Sequence, residues 1–256
     1  LTRSGVSHVV LERARIGETW RSQRWDSFHF NIPRVLTVMP GDRYDGDDPE
    51  GAMTRDEFVG MLESYVARHG LPVQTGEAVT EVAPDGDSGF VVSTPDRTLT
   101  ARNVVVANGA LNRPKRPPLW RQIDPSVRQI DASDYRSSAS TGEGAVLAVG
   151  SGQSGGQIAE DLLVSGRQVF LATGRIGRIP HSYRGRNLAL WLVEMGALDV
   201  RRKDFVQPDG TILARPLQGA VETLSLQSLS ARGAVLLGRL TGADGRTLTF
   251  SDDVAE

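Results

Sequence analysis

The chain of 256 residues contains no cysteine. That removes disulfides, thiolate nucleophiles, redox dithiols and cysteine-ligated metal sites from what these residues can do. Histidine is scarce: His8, His29, His69 and His181 stand far apart, with no metal-ligand spacing. The only lysines are Lys115 and Lys203, so almost all positive charge is arginine. Neither sign is in excess. Lys plus Arg number 29 against 31 Asp plus Glu, a net charge of -2, which does not point to nucleic acid or to an anionic membrane. No apolar run approaches the roughly 20 residues of a membrane-spanning helix, and no signal peptide is visible, so the expected location is cytoplasmic. What is present is 39% hydrophobic residues and 28 glycines. That composition reads as a soluble, globular chain, long enough for one large or two ordinary domains.

The glycines are most informative at residues 145–175, AVLAVGSGQSGGQIAEDLLVSGRQVFLATGR. A buried-type strand at 145–149 runs into Gly150, Gly152 and Gly155, spaced G-x-G-x-x-G. A helix with Ile158, Ala159, Leu162 and Leu163 on one face follows, Gly166 ends it, and a second strand spans 169–172. A lone G-x-G-x-x-G is a weak signal; the strand before it and the helix and strand after it supply the required context. The first glycine allows the tight turn, the second lets the backbone approach a pyrophosphate, and the third lets helix pack closely on strand. Amides of Gln153, Ser154 and Gly155 at the helix start then face the phosphates. NAD sites place an acid about 20 residues after the loop, on the ribose 2′-hydroxyl. Here Thr173, Gly174 and Arg175 occupy that position, with Arg178 nearby. A guanidinium there suits a 2′-phosphate, which predicts NADP.

Residues 7–12 (SHVVLE) resemble the second strand of another such unit, ending on Glu12. An acid at this point suits a ribose with free hydroxyls, as in FAD. An arginine- and tryptophan-rich stretch at 13–48 follows and reads as a long loop without obvious structure. Within it, Trp25 and Phe28 read as core packing in preference to a substrate wall. Asn31 admits two readings, a turn asparagine before Pro33 or an amide facing a cofactor, and the turn reading takes precedence. Thr54 and Glu57 form a T-x-x-E capping pattern ahead of Phe58, Met61, Leu62, Tyr65 and Val66, with Gly70 as the stop. Strands are predicted at 73–75, 78–83, 89–94, 98–101 and, as a fully apolar run, 103–107, with turns at 84–89 and 95–97. Residues 112–118 (NRPKRPP) read as a linker.

Taken with the stretches HVVLERARIGETWRSQRWDSFHFNIP, NVVVANGALNRPKRPP, DASDYR and ETLSLQSLSARGAVLLGRL, this sequence resembles the flavin-containing monooxygenase-like flavoproteins. The likeness is to a bacterial branch labelled as potassium-transport flavoproteins. The resemblance implies an α/β fold of two Rossmann-like dinucleotide-binding domains, with the NADP domain inserted into an FAD domain that is incomplete at both chain ends. Residues 1–112 would be the partial FAD-binding domain and 113–256 the NADP-binding domain, an internal piece of a longer flavoprotein. It places Glu12 and Arg13 at the FAD ribose, Trp20 beside the flavin, the backbone of Val79 at the adenine, and Ala107, Asn108 and Gly109 where the chain passes the cofactor. It implies an oxidoreductase of monooxygenase type, passing hydride from NADPH to FAD and then oxygen from O2 to a small-molecule substrate. A module that binds NADP without catalysis, or a fragment that does not retain FAD, is the alternative, and no metal is called for. The sequence departs from the family at Asp131, where histidine is usual.

Overall fold

The computed structural model describes residues 1–86, 89–109, 114–206, 210 and 216–253. The described chain forms two compact units, one of residues 1–22 with 56–114 and one of residues 23–55 with 115–256.

In the first unit, β1 (Val10–Glu12) pairs in parallel with β4 (Val73–Thr75), Glu12 opposite Thr75. Parallel pairing needs a crossover connection, and α2 (Arg55–Arg68) leads into β4. That helix stops at Gly70, whose φ of +55 suits a left-handed C-terminal position. Its most buried residue is Val59, which with Leu62 packs on Gly17 next to α1 (Glu18–Ser22). β5 (Glu81–Pro84), β6 (Phe90–Ser93) and β7 (Thr98–Ala101) make an antiparallel sheet. The strand expected at 78–83 therefore begins only at Glu81, and the turn expected at 84–89 includes Asp87 and Ser88, which lie outside the described residues.

One expectation fails here. The apolar run 103–107 is not a strand: Val105 is 81% and Val106 75% exposed. Apolar composition alone does not make a strand, because each needs a neighbour to take its N–H and C=O groups, and this run has no ladder partner among the described residues.

The second unit begins with β2 (His29–Pro33), antiparallel to β3 (Ala52–Thr54) with an irregular register. The stretch 13–48, expected as loop, thus contains α1 and β2. Asn31 lies within β2 and not in a turn. The sheet at the centre of the unit is parallel, in the order β12–β9–β8. It comprises β8 (Val146–Val149), β9 (Val169–Ala172) and β12 (Val235–Leu237), with α3 (Gln153–Val164) joining the first two. Ile158, Ala159 and Leu162 of α3 meet Val169, Leu171, Leu217, Leu224 and Leu229 in one core, the face the 3.6-residue periodicity marks. Trp25 joins this core, with Phe28 edge-on to it at 5.1 Å, as the packing reading expects. A hairpin of β10 (Ser182–Tyr183) and β11 (Arg186–Asn187) precedes α4 (Leu188–Glu194). α5 (Leu226–Ala231) leads into β12, and the hairpin β13 (Leu240–Asp244) and β14 (Thr247–Phe250) follows. No helix among the described residues is long and apolar enough to cross a membrane.

Asp161 on α3 collects two hydroxyl donors, Ser27 and Tyr135, the latter at 2.5 Å. Burial, and then the neighbouring carboxylate, push the Tyr135 phenol well above the ordinary tyrosine range. Tyr135→Phe leaves this carboxylate short of a donor and is expected to lower stability by about 1–3 kcal/mol. The shift in urea-denaturation midpoint, at unchanged slope, measures it.

Candidate functional site

The glycine loop folds as its spacing demands. Gly150 has a φ of +103, open to glycine and strained for other residues, and its N–H donates to Ala172 O at 2.9 Å, tying the loop to the end of β9. Gly152 is the N-cap of α3, and a Cβ there would meet nothing within 4 Å. A Cβ on Gly155 would come within 3.0 Å of the Gly150 carbonyl carbon, and its oxygen is nearer still. Helix and strand meet backbone to backbone, which is the close packing the third glycine permits. An α-helix leaves its first N–H groups without an intrahelical partner, and those of α3 stand next to Gly152, its N-cap.

Gly150 and Gly152, though not Gly155, border a groove of about 610 Å³. Gly150, Gly152, Gln153, Thr173 and Arg175 all line it, so the structure brings this set of expected residues together. Ser154 is exposed on the first turn of α3. Thr173 is buried, and both its N–H and its hydroxyl donate to Leu237 O at 2.9 Å across the β9–β12 seam. Arg175 is exposed and makes no ion pair among the described residues. Two further residues escape sequence reasoning. Ser151 is buried, and its hydroxyl accepts the Gly174 N–H at 3.1 Å, fixing the backbone just before Arg175. Arg239 follows β12 and reaches the same groove as Arg175. A strand followed by a basic residue at 235–239 was the available signal, but only the neighbouring of β12 and β9 gives it meaning.

The residues expected around FAD lie on separate elements of the first unit. Glu12 ends β1; its Oε1 accepts the Ala14 N–H at 3.0 Å, and its carbonyl accepts the Glu77 N–H at 3.0 Å. The other carboxylate oxygen leaves acceptor capacity for a ribose hydroxyl. Arg13 is exposed beside it. Trp20 sits on α1, edge-on to Phe58 at 5.0 Å. Val79 is in the extended segment after Glu77. Ala107, Asn108 and Gly109 are exposed, Gly109 with a φ of +75. The expected linker 112–118 falls partly on Asn112 and Arg113, outside the described residues.

Asp131 is held by Arg116 in a two-pronged ion pair, at 2.7 and 2.8 Å. Arg116 also lies over the Trp120 ring at 5.1 Å. Among the described residues no cluster of three or more acidic or imidazole side chains is placed to hold a metal.

The family described as pyridine nucleotide-disulphide oxidoreductase matches residues 1–183. A curated relative from Geobacillus kaustophilus, named an uncharacterized oxidoreductase, CzcO-like, is 34% identical over 193 residues, covering 75% of this chain and 54% of its own length. A probable indole-3-pyruvate monooxygenase, YUCCA1 of Arabidopsis thaliana, is 27% identical over 252 residues, covering 92% of this chain and 60% of its own. The chain thus spans a little over half the length of these relatives. Among solved structures, a doubly substituted flavin monooxygenase from Stenotrophomonas maltophilia superimposes with a TM-score of 0.72 at 22% identity, over 98% of this chain and 68% of that one. That likeness shows the fold: α/β, with Rossmann-like dinucleotide-binding architecture.

Proposed function

Because the chain belongs to the pyridine nucleotide-disulphide oxidoreductase family, we propose that it serves an FAD- and NADPH-dependent oxidoreductase of flavin monooxygenase type. The carrying observation is the groove at the α3 N-terminus, where the loop at Gly150, Gly152 and Gln153 meets two arginines, Arg175 and Arg239. The loop amides would take the pyrophosphate of NADPH, and the two guanidiniums its 2′-phosphate. At the other site, Glu12 would accept from the FAD ribose and Trp20 would lie by the flavin, with Arg13, Val79 and the turn at Ala107, Asn108 and Gly109 completing it. Residues 1–112 would supply the FAD portion and 113–256 the NADP portion. When bound, these cofactors supply hydride transfer and O2 activation. With no cysteine here, a dithiol step has no group in these residues to run on. The substrate is proposed to be a small molecule, and the location the cytoplasm.

A second reading is an NADP-binding module without flavin chemistry. It is favoured by the grouping of every groove residue in one compact unit. Colour separates the two. A yellow protein that bleaches on anaerobic addition of NADPH supports the first reading. A colourless protein that still binds NADPH would leave the second reading standing.

A further inference from the structure

Asn31 is engaged on every side. Its Nδ2 donates to Gln153 Oε1 at 2.8 Å, its Oδ1 accepts from Gln157 Nε2 at 2.5 Å, and its carbonyl accepts from Gln218 Nε2 at 2.9 Å. Gln153 is fixed at its other end as well, donating from Nε2 to Pro216 O at 2.7 Å. Gln157, buried one turn along the same face of α3, also donates to Gln218 O at 3.4 Å. Four amide side chains from β2, α3 and the segment at 216–218 thus close one network, each donor meeting an acceptor. Its far end is the first residue of α3 and of the helical turn that follows Gly152.

On the NADP reading of the groove, we propose that Asn31 is a positioning residue for nucleotide binding: through Gln153 it holds the glycine loop in its binding geometry. The loop carries Gly150, Gly152, Gly155 and Gly156, and glycine backbone loses more freedom on ordering than any other. Freedom retained in the free protein must be given up when nucleotide binds. Gln153 is the one side chain between Gly152 and Ser154, and clamping both ends of its amide fixes that backbone in advance. Asn31 makes its half of the clamp from a strand 122 residues away in sequence. This engagement gives the amide a different task from facing a cofactor.

The test is a double-mutant cycle of Asn31→Ala and Gln153→Met, with NADP+ dissociation constants from calorimetry and denaturation midpoints beside them. Gln153→Met keeps the side-chain length while removing both amide bonds, and is the variant least disturbing to folding. Each single substitution is expected to weaken NADP+ about tenfold, and the double substitution also about tenfold, because both break the same clamp. The ratio of NADPH to NADH affinity should stay at the wild-type value in all four proteins, since Arg175 is untouched. Asn31→Ala that lowers the midpoint but leaves NADP+ affinity intact would overturn the proposal, as would losses that multiply to about 100-fold in the double variant. Wild-type protein that binds neither nucleotide would instead remove the NADP reading itself, and this positioning role with it.

Discussion

Gly155→Ala is expected to abolish measurable NADP+ binding and to destabilise the second unit. The added methyl would overlap the Gly150 carbonyl, and that carbonyl has nowhere to go, because the Gly150 N–H is anchored on Ala172 O at 2.9 Å. Relief therefore requires the first turn of α3 to move off the end of β8. Overpacking against side chains costs about 1–3 kcal/mol; here the obstacle is backbone, so the upper end applies. Displacing the helix start also misaims the amides that face the phosphates, and a loss of 100-fold or more in affinity follows, equivalent to about 2.7 kcal/mol. Gly152→Ala separates the two effects. Its Cβ meets nothing within 4 Å, so stability should change by no more than about 1 kcal/mol, the scale of an N-cap substitution. Nucleotide affinity should still fall, since the methyl stands where the pyrophosphate backbone approaches. Calorimetric titration with NADP+ beside urea denaturation reads both. Gly155→Ala with wild-type affinity would refute the loop assignment.

Arg175→Ala carries the second large effect. A charge-assisted hydrogen bond contributes about 1.5–3 kcal/mol, and each 1.4 kcal/mol is about tenfold in affinity. NADPH should lose most of an about 10- to 100-fold advantage over NADH, while NADH affinity barely changes, because the loop at Gly150–Gly155 is untouched. Arg175 is exposed, so salt should shrink the effect within the physiological range. Arg239 on the neighbouring strand end can take part of the load. Arg175→Ala with Arg239→Ala should therefore erase the preference that either substitution alone only reduces. A variant that loses NADH and NADPH alike would mean that the arginine shapes the loop and does not select the phosphate.

The groove at the glycine loop was legible because its logic is local. Strand, glycine loop, helix and strand follow one another within 145–172, and Gly155 packs on Gly150 within that same stretch. Arg175 could be read because it follows closely on β9, the strand that the loop and its helix lead into. Arg239 could not, since its place depends on β12 pairing with β9, Val235 opposite Phe170. The same limit hid the amide network of Asn31, whose local context of Ile32 and Pro33 reads as a turn while its partners lie 122 and 126 residues away. The run at 103–107 failed in the opposite sense: its composition suits a buried strand, but strand identity is a property of a pair. Asp131 shows a further limit, because its departure from the family pattern was visible while its partner Arg116 was not assigned.

The most direct measurement is the pair of dissociation constants of the unmodified protein for NADPH and NADH, taken at one fixed low salt concentration. The account expects both nucleotides to bind, NADPH about 10- to 100-fold more tightly, the difference one charge-assisted phosphate contact supplies. Equal affinities would contradict the assignment of Arg175 and Arg239 to the 2′-phosphate, and no binding of either would contradict the dinucleotide site at Gly150–Gly155 itself.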